Sequence, residues 1–255
     1  MTSNIPDEER PDKEKSSRRS RKRSSEKAID APTLGYIPPT PESPAPTLSD
    51  PMGDAAAAYG QALDRIQAAT AAHILLVTGV TPGSGPTLAA LNLGFAATRI
   101  GLRSLVIDGD TEGGGPSQYL RTGSDAGLAE LASGEADLKA ASRLLTMDDG
   151  GRLPVIPAGE SQPGAELSPN DLAEPIDRIS EYTDLVLIVI AATASEQWSA
   201  ALAAHADGTL LIVDGSEKQR TVVAAAERLA EIGAPVTGLI ELAPQRRGIR
   251  RKRGG

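Results

Sequence analysis

Six short stretches of the chain are dominated by apolar residues: 74–77, 104–108, 153–157, 185–190, 209–213 and 236–242. Runs without a polar alternation are the mark of strands buried on both faces. Between them, apolar positions recur at helical spacing over 54–70, 88–100, 171–182, 197–205 and 219–232. The last of these is the clearest, with Val222, Val223, Ala226, Leu229 and Ala230 on one face and Gly233 as its stop. The helix at 88–100 stops at Gly101, that at 171–182 carries Pro175 early, and that at 54–70 is alanine-rich and weakened by Gly60. Shorter helices are expected at 127–133 and 136–145. Strands alternating with helices predict an α/β fold: a doubly wound, mostly parallel sheet with helices on both faces.

The pattern is different at both ends of the chain. Residues 1–50 mix Ser, Pro, Lys, Arg and Glu with few apolar positions, and include the run Arg18-Arg19-Ser20-Arg21-Lys22-Arg23. Such a composition buries too little surface to offset the entropy of ordering, so a disordered basic, Pro-rich tail is expected over 1–50. Residues 51–245 then form one domain, followed by a basic tail at 246–255. The formal net charge is −8, yet residues 31–245 hold 11 basic and 27 acidic residues, so the body is strongly acidic. An acidic body argues against nucleic acid as a partner, and one Trp, one Phe and four Tyr leave few stacking platforms. The tail from Arg246 to Arg253 suits an anionic membrane surface or another acidic target. There is no cysteine, and His73 and His205 lie far apart, which leaves no metal-ligand spacing. With no apolar run of membrane-spanning length and no signal-peptide core, a cytoplasmic protein is expected, with a peripheral place at the inner face of the membrane allowed by the tail.

Candidate chemistry centres on Gly79-Val80-Thr81-Pro82-Gly83-Ser84-Gly85-Pro86-Thr87, set between the strand at 74–77 and the helix at 88–100. A glycine-rich turn opening a helix presents main-chain N–H groups and a positive dipole end to an anion. Gly83, Ser84, Gly85 and Thr87 are the candidate anion-binding residues. Pro86 stands where a phosphate-binding loop carries its lysine. Proline suits the first turn of a helix, so the shape is expected to persist while the charge and one N–H are lost. The strand at 104–108 ends Ile107-Asp108-Gly109-Asp110, and strand ends of such sheets are where ligands bind. Asp108 and Asp110 are expected to point the same way, towards the loop, as holders of Mg²⁺ or of a water, or else to be solvated loop acids.

The order of segments resembles the bacterial tyrosine autokinases of capsule and exopolysaccharide synthesis, within the partitioning-type P-loop ATPases. Thr78 to Gly85 looks like their first Walker motif and Leu105-Val106-Ile107-Asp108-Gly109-Asp110 like their second, acidic motif. Gly127-Leu128-Ala129-Glu130-Leu131, Val155-Ile156-Pro157-Ala158-Gly159, Asp184-Leu185-Val186-Leu187-Ile188 and Ala206 to Val213 are similar to later family segments, so the resemblance spans roughly 54–243. The departures fall on the chemistry. Pro86 replaces the lysine, and the strand that normally ends in an aspartate before Thr-Pro-Pro reads Val189-Ile190-Ala191-Ala192. Asp184 lies five residues earlier, about 16 Å away along a strand. Thr81 takes the place of the extra lysine of partitioning ATPases, and Gly60 that of an arginine on the oligomerisation helix. The sequence ends in Arg and Gly rather than in a tyrosine cluster.

The resemblance therefore implies a degenerate, non-catalytic member of the family. Its remnant acids are Asp108 and Asp110, its implied metal-facing residues Thr87 and Asp108, and its ATP and Mg²⁺ binding weak if retained. The implied role is a regulatory or scaffolding subunit in exopolysaccharide or capsule biosynthesis or export. The implied partners are a membrane chain-length regulator or other export protein, or an active kinase paralogue. Two other readings stay open: a divergent but active ATP-binding tyrosine kinase or ATPase, and a partitioning-type adaptor that positions a cellular cargo.

Overall fold

The structure, a computed structural model, describes residues 29–39, 45–110, 115–121, 126–148, 150–160, 169–192 and 196–244. In chain order its elements are β1 (Thr33–Ile37), α1 (Pro46–Ser49), α2 (Asp54–Ala69), β2 (Ile74–Gly79), α3 (Pro86–Arg99), β3 (Ser104–Asp108), α4 (Pro116–Leu120), α5 (Leu128–Ala132), α6 (Leu138–Ala141), β4 (Arg143–Thr146), β5 (Arg152–Ile156), α7 (Pro169–Tyr182), β6 (Leu185–Val189), α8 (Glu196–Ala203), β7 (Gly208–Asp214), α9 (Gln219–Glu231) and β8 (Val236–Leu242). They build one eight-stranded sheet in the order β1-β8-β7-β2-β6-β3-β5-β4. Every pairing is parallel except β4 with β5.

The continuous apolar strands divide their side chains between two cores. Leu75, Val77, Leu187, Val189, Leu210 and Ile212 face the layer of α2 and α3. Ile74, Leu76, Val186, Ile188 and Leu211 face the layer of α5, α7, α8 and α9. Both faces are covered, so period-two alternation survives in where the residues point and vanishes from their polarity. The expected doubly wound sheet is the one observed.

Two stretches of the expected pattern differ in the structure. The helix expected over 136–145 is only one turn long: Asp137 caps its start through Ala140 N–H (2.8 Å), and from Ser142 the chain extends. Arg143–Thr146 alternates half-buried and exposed residues and closes the sheet as an antiparallel hairpin with β5. That alternation belongs to an edge strand, and four residues are too few to show a period.

The second difference lies within residues 1–50. Thr33–Ile37 adds β1 to the sheet beside β8, burying Leu34 and Ile37. Disorder does not hold for this part of the segment, nor for Pro46–Ser49, which forms α1. Averaging over fifty residues hides a five-residue strand, and Gly35 fits it against α2, since a Cβ there would lie 2.7 Å from the Ala62 Cβ. Residues 1–28, 40–44 and 245–255, which include the expected basic runs at both ends, lie outside the described residues. Among the described residues no helix is long and apolar enough to cross a membrane.

The short α1 is held by a buried polar contact. The Asn92 Oδ1 in α3 accepts from both the N–H (3.0 Å) and the hydroxyl (2.7 Å) of Thr47, while its Nδ2 donates to Leu88 O (2.8 Å). Asn92 and Thr47 are both buried. Asn92→Ala leaves two buried donors without their acceptor and should lower the unfolding free energy by about 1–3 kcal/mol in urea titrations. Adding Thr47→Val, which deletes one of the stranded donors, should recover part of that loss. A fully additive double mutant would show that the contact carries no coupling.

Candidate functional site

The loop after β2 is fixed by its own small residues. Ser84 N–H bonds to Thr81 O (3.1 Å), and the Ser84 hydroxyl turns inward to the same carbonyl (2.7 Å). Gly79 is what makes room for that hydroxyl, since a Cβ at Gly79 would fall 1.9 Å from the Ser84 Oγ. Gly83 and Gly85 take left-handed φ values of 87° and 90°, and Gly85 is the N-cap of α3, whose first position is Pro86. Ala89 N–H then bonds to Gly85 O (3.0 Å), so the proline displaces no helical hydrogen bond. The loop is also latched from outside. The Thr81 hydroxyl donates to Glu217 Oε1 (2.6 Å), and Glu217 Oε2 accepts Asp214 N–H at the end of β7 (3.0 Å).

A cleft of about 820 Å³ opens along the carboxyl edge of the sheet, beside this loop. Gly83, Gly85, Pro86 and Thr87 line it, and so do Asp110 and Val189. Ser84 does not: it is buried, and its N–H is committed to Thr81. Of the four candidate anion-binding residues, three face the cleft and Ser84 builds the turn.

The two aspartates part company. The Asp108 Oδ1 accepts Asp110 N–H (2.9 Å) and its Oδ2 accepts Ser117 N–H in the first turn of α4 (2.6 Å). Asp108 is fully buried and does not line the cleft, whereas Asp110 does. The expectation that both carboxylates point at the loop is therefore corrected: α4 packs over the strand end and captures Asp108. Gly115 is what permits this approach, since a Cβ on it would sit 2.1 Å from Asp108 Oδ1. Burial pushes the Asp108 carboxyl above its ordinary value, against the pull of the Ser117 and Asp110 N–H donors and with the neighbouring Asp110 charge adding to the rise.

The missing late-strand carboxylate leaves hydrocarbon in its place. Val189 is in register with Val77 on one side and with Asp108 on the other, and lies buried in the cleft wall. Asp184 sits at the opposite end of β6, where its carboxylate binds Arg103 N–H (2.8 Å) and the Arg103 guanidinium (2.6 and 3.0 Å). The hydrogen bond from Arg103 holds the Asp184 carboxyl down at about 2. Thr87 and Asp110 are thus the oxygen donors of the expected set that face the cleft, with Asp108 withdrawn. No cluster of three or more His, Asp or Glu suited to a metal occurs among the described residues. These residues fit a Mg²⁺–nucleotide complex poorly: the acid is turned away, the late-strand position is apolar and the loop carries no lysine.

Three features escaped the sequence. Gln118, Tyr119 and Arg121 of α4 and its C-cap form one wall of the cleft, a helix of five residues that no periodicity reveals, although Gly115-Pro116 marks its start. The Thr81–Glu217 latch joins residues 136 apart. The chain's one tryptophan, Trp198, is buried on α8 and donates its indole N–H to the Gly109 carbonyl, between the two aspartates.

Asp108 has a raised native value, so the folded state holds its proton to higher pH than the unfolded chain does. Its contribution to stability is then most favourable below the ordinary carboxylate value and declines as pH rises through the raised one. Urea titrations of wild type and Asp108→Asn between pH 3 and 7 should show the wild type losing stability relative to the variant as pH rises. A difference that does not change with pH would mean that Asp108 titrates as an ordinary carboxylate.

No protein-family model matches the sequence. Tyrosine-protein kinase CpsD of Streptococcus pneumoniae is 28% identical over 171 residues, 66% of this chain and 74% of that protein. Succinoglycan biosynthesis transport protein ExoP of Rhizobium meliloti is 28% identical over 158 residues, 60% of this chain but only 20% of that much longer protein. Among solved structures, the kinase domain of the Escherichia coli tyrosine kinase ETK superposes with a TM-score of 0.72 at 23% identity, covering 88% of this chain and 95% of that domain. Bacterial tyrosine-protein kinases are thus among the homologues of this chain, and its fold is that of a bacterial tyrosine kinase domain.

Proposed function

We propose that this chain is a non-catalytic relative of the bacterial tyrosine kinases, acting as a regulatory or scaffolding subunit in exopolysaccharide or capsule biosynthesis or export. The observation that carries the reading is the state of the strand ends: Pro86 opens α3, Val189 fills the late-strand position, and Asp108 is committed to the N–H groups of Ser117 and Asp110. Phosphoryl transfer depends on placed cations and carboxylates around the phosphates. Here a proline, a valine and a withdrawn acid stand in those places. The process is drawn from the relatives, one of which is named for succinoglycan biosynthesis and transport. The partner proposed is a membrane chain-length regulator or another export component, with an active kinase paralogue as the alternative, at the inner face of the membrane. Genes for glycosyltransferases and polysaccharide exporters beside the gene for this chain would agree with it; genes for chromosome partition or division would not.

Purified protein should hydrolyse no ATP and form no phosphotyrosine above a buffer blank, with Mg²⁺ or Mn²⁺. Phosphotyrosine on the isolated chain, lost in Asp110→Ala, would defeat the reading.

Repair supplies the second test. Pro86→Lys restores a charge and an N–H at a position whose helical φ lysine accepts, and should raise nucleotide affinity without turnover. Pro86→Lys with Val189→Asp should show the first trace of hydrolysis, at a stability cost of several kcal/mol for the buried acid. Family-like hydrolysis by the single Pro86→Lys variant would show that another residue already does the work of the absent aspartate.

A further inference from the structure

The cleft has lost its lysine, yet it is not without a cation. Among the described residues that line it, two are charged: Asp110 and Arg121. Asp110 alone would make the cleft repel an anion, and Arg121 offsets that charge. Arg121 stands at the C-cap of α4, on the wall that also carries Gln118 and Tyr119, and its side chain is exposed. Its guanidinium makes no hydrogen bond or ion pair with the described residues, so its five donors are available to a ligand.

We propose that Arg121 is the cationic anchor of this cleft, binding the phosphoryl oxygens of a diphosphate-bearing ligand together with the main-chain N–H groups of Gly83 and Gly85. This rests on the reading of the chain as non-catalytic, because it assigns the cleft to binding. A guanidinium matches phosphoryl oxygens through paired N–H donors, which a single ammonium does not. A cleft of about 820 Å³ exceeds what one phosphate fills and suits a ligand of nucleotide size. Free pyrophosphate and a nucleoside diphosphate present the same oxygens, and the two are told apart by titrating each.

The wall that carries Arg121 is held in place by the old acidic motif. Asp108 binds the Ser117 N–H at the start of α4, and the Ser117 hydroxyl accepts Ala158 N–H (2.9 Å) beyond β5. Asp108 is therefore a positioning residue, setting the helix that ends in Arg121. The arginine itself has φ 58° and ψ 41°, and it is the non-glycine residue with a left-handed φ among those described. A glycine would occupy that conformation without strain. Binding and stability thus make opposite demands on position 121, and this opposition supplies the test.

Full-length protein is titrated with pyrophosphate and with ADP, free of divalent metal, by calorimetry and by the emission of Trp198. Wild type should bind both, with affinity falling as salt is raised. Arg121→Gln should weaken binding about tenfold or more and flatten the salt dependence. Arg121→Lys should keep part of the affinity. Arg121→Gly should bind as weakly as the Gln variant while melting at a higher temperature than wild type. Wild type that binds neither ligand, or an Arg121→Gln variant that binds as well as wild type, overturns the proposal. Loss of stability together with binding in both the Gln and Gly variants also overturns it, by making Arg121 a structural cap. ATP hydrolysis by wild type would sink the non-catalytic reading and leave the anchor standing, whereas absent pyrophosphate binding would do the reverse.

Discussion

Strands β2, β6 and β3 at the centre of the sheet are buried on both faces, and that constraint decides where polar chemistry can sit. Across these three strands the polar side chains are Thr78, Ser104 and Asp108, all at or next to strand ends. Ser104, at the start of β3, bonds back to Gly94 O (3.0 Å) in α3 and to Thr98 Oγ1 (2.9 Å). Thr78 and Asp108 lie at the carboxyl edge. A polar group further inside would have no solvent and no partner. The cleft is at the strand ends because the interior of the sheet admits nothing else.

The same constraint lets the residues at the strand ends change while the fold stays. Pro86 is accepted at the first position of α3 because the N–H it lacks had no helical partner there. Val189 is accepted because it packs in the apolar core that also holds its register neighbour Val77, an environment in which hydrocarbon is at ease. Asp108 is the harder case, since a fully buried carboxylate is costly on its own. Two backbone N–H groups meet it, and in exchange it fixes the start of α4. The acid is thereby tied to a helix.

Much of this was legible in the sequence, in proportion to how local each feature is. The central strands, the long helices and the glycine turn before α3 all follow from runs of ten or so residues. β1 and β4 did not, because five and four residues set no period, and β1 gains its place from β8, some 200 residues later in the chain, and from α2 beneath it. Within the site, the proline at 86 and the valine at 189 are visible by position alone. That Ser84 spends its N–H on Thr81, and that Asp108 and Asp110 face different ways, depends on Gly79 making space and on α4 arriving at the strand end. Spacing two carboxylates two residues apart says nothing about what packs over them.

The placement of β1 has a mechanical consequence. β1 and β8 are parallel neighbours, so Pro32 enters the sheet at the edge opposite the one from which Ala243 leaves. Hydrogen bonds from Leu239 N–H to Pro32 O (2.9 Å) and from Ala243 N–H to Ile37 O (2.8 Å) bracket the pair at its two ends. Tension applied through residues 32 and 243 therefore drags the two strands past each other along their axes. The bonds between them share that load at once rather than opening one after another, so a pull along the chain meets the sheet in its stiffest direction.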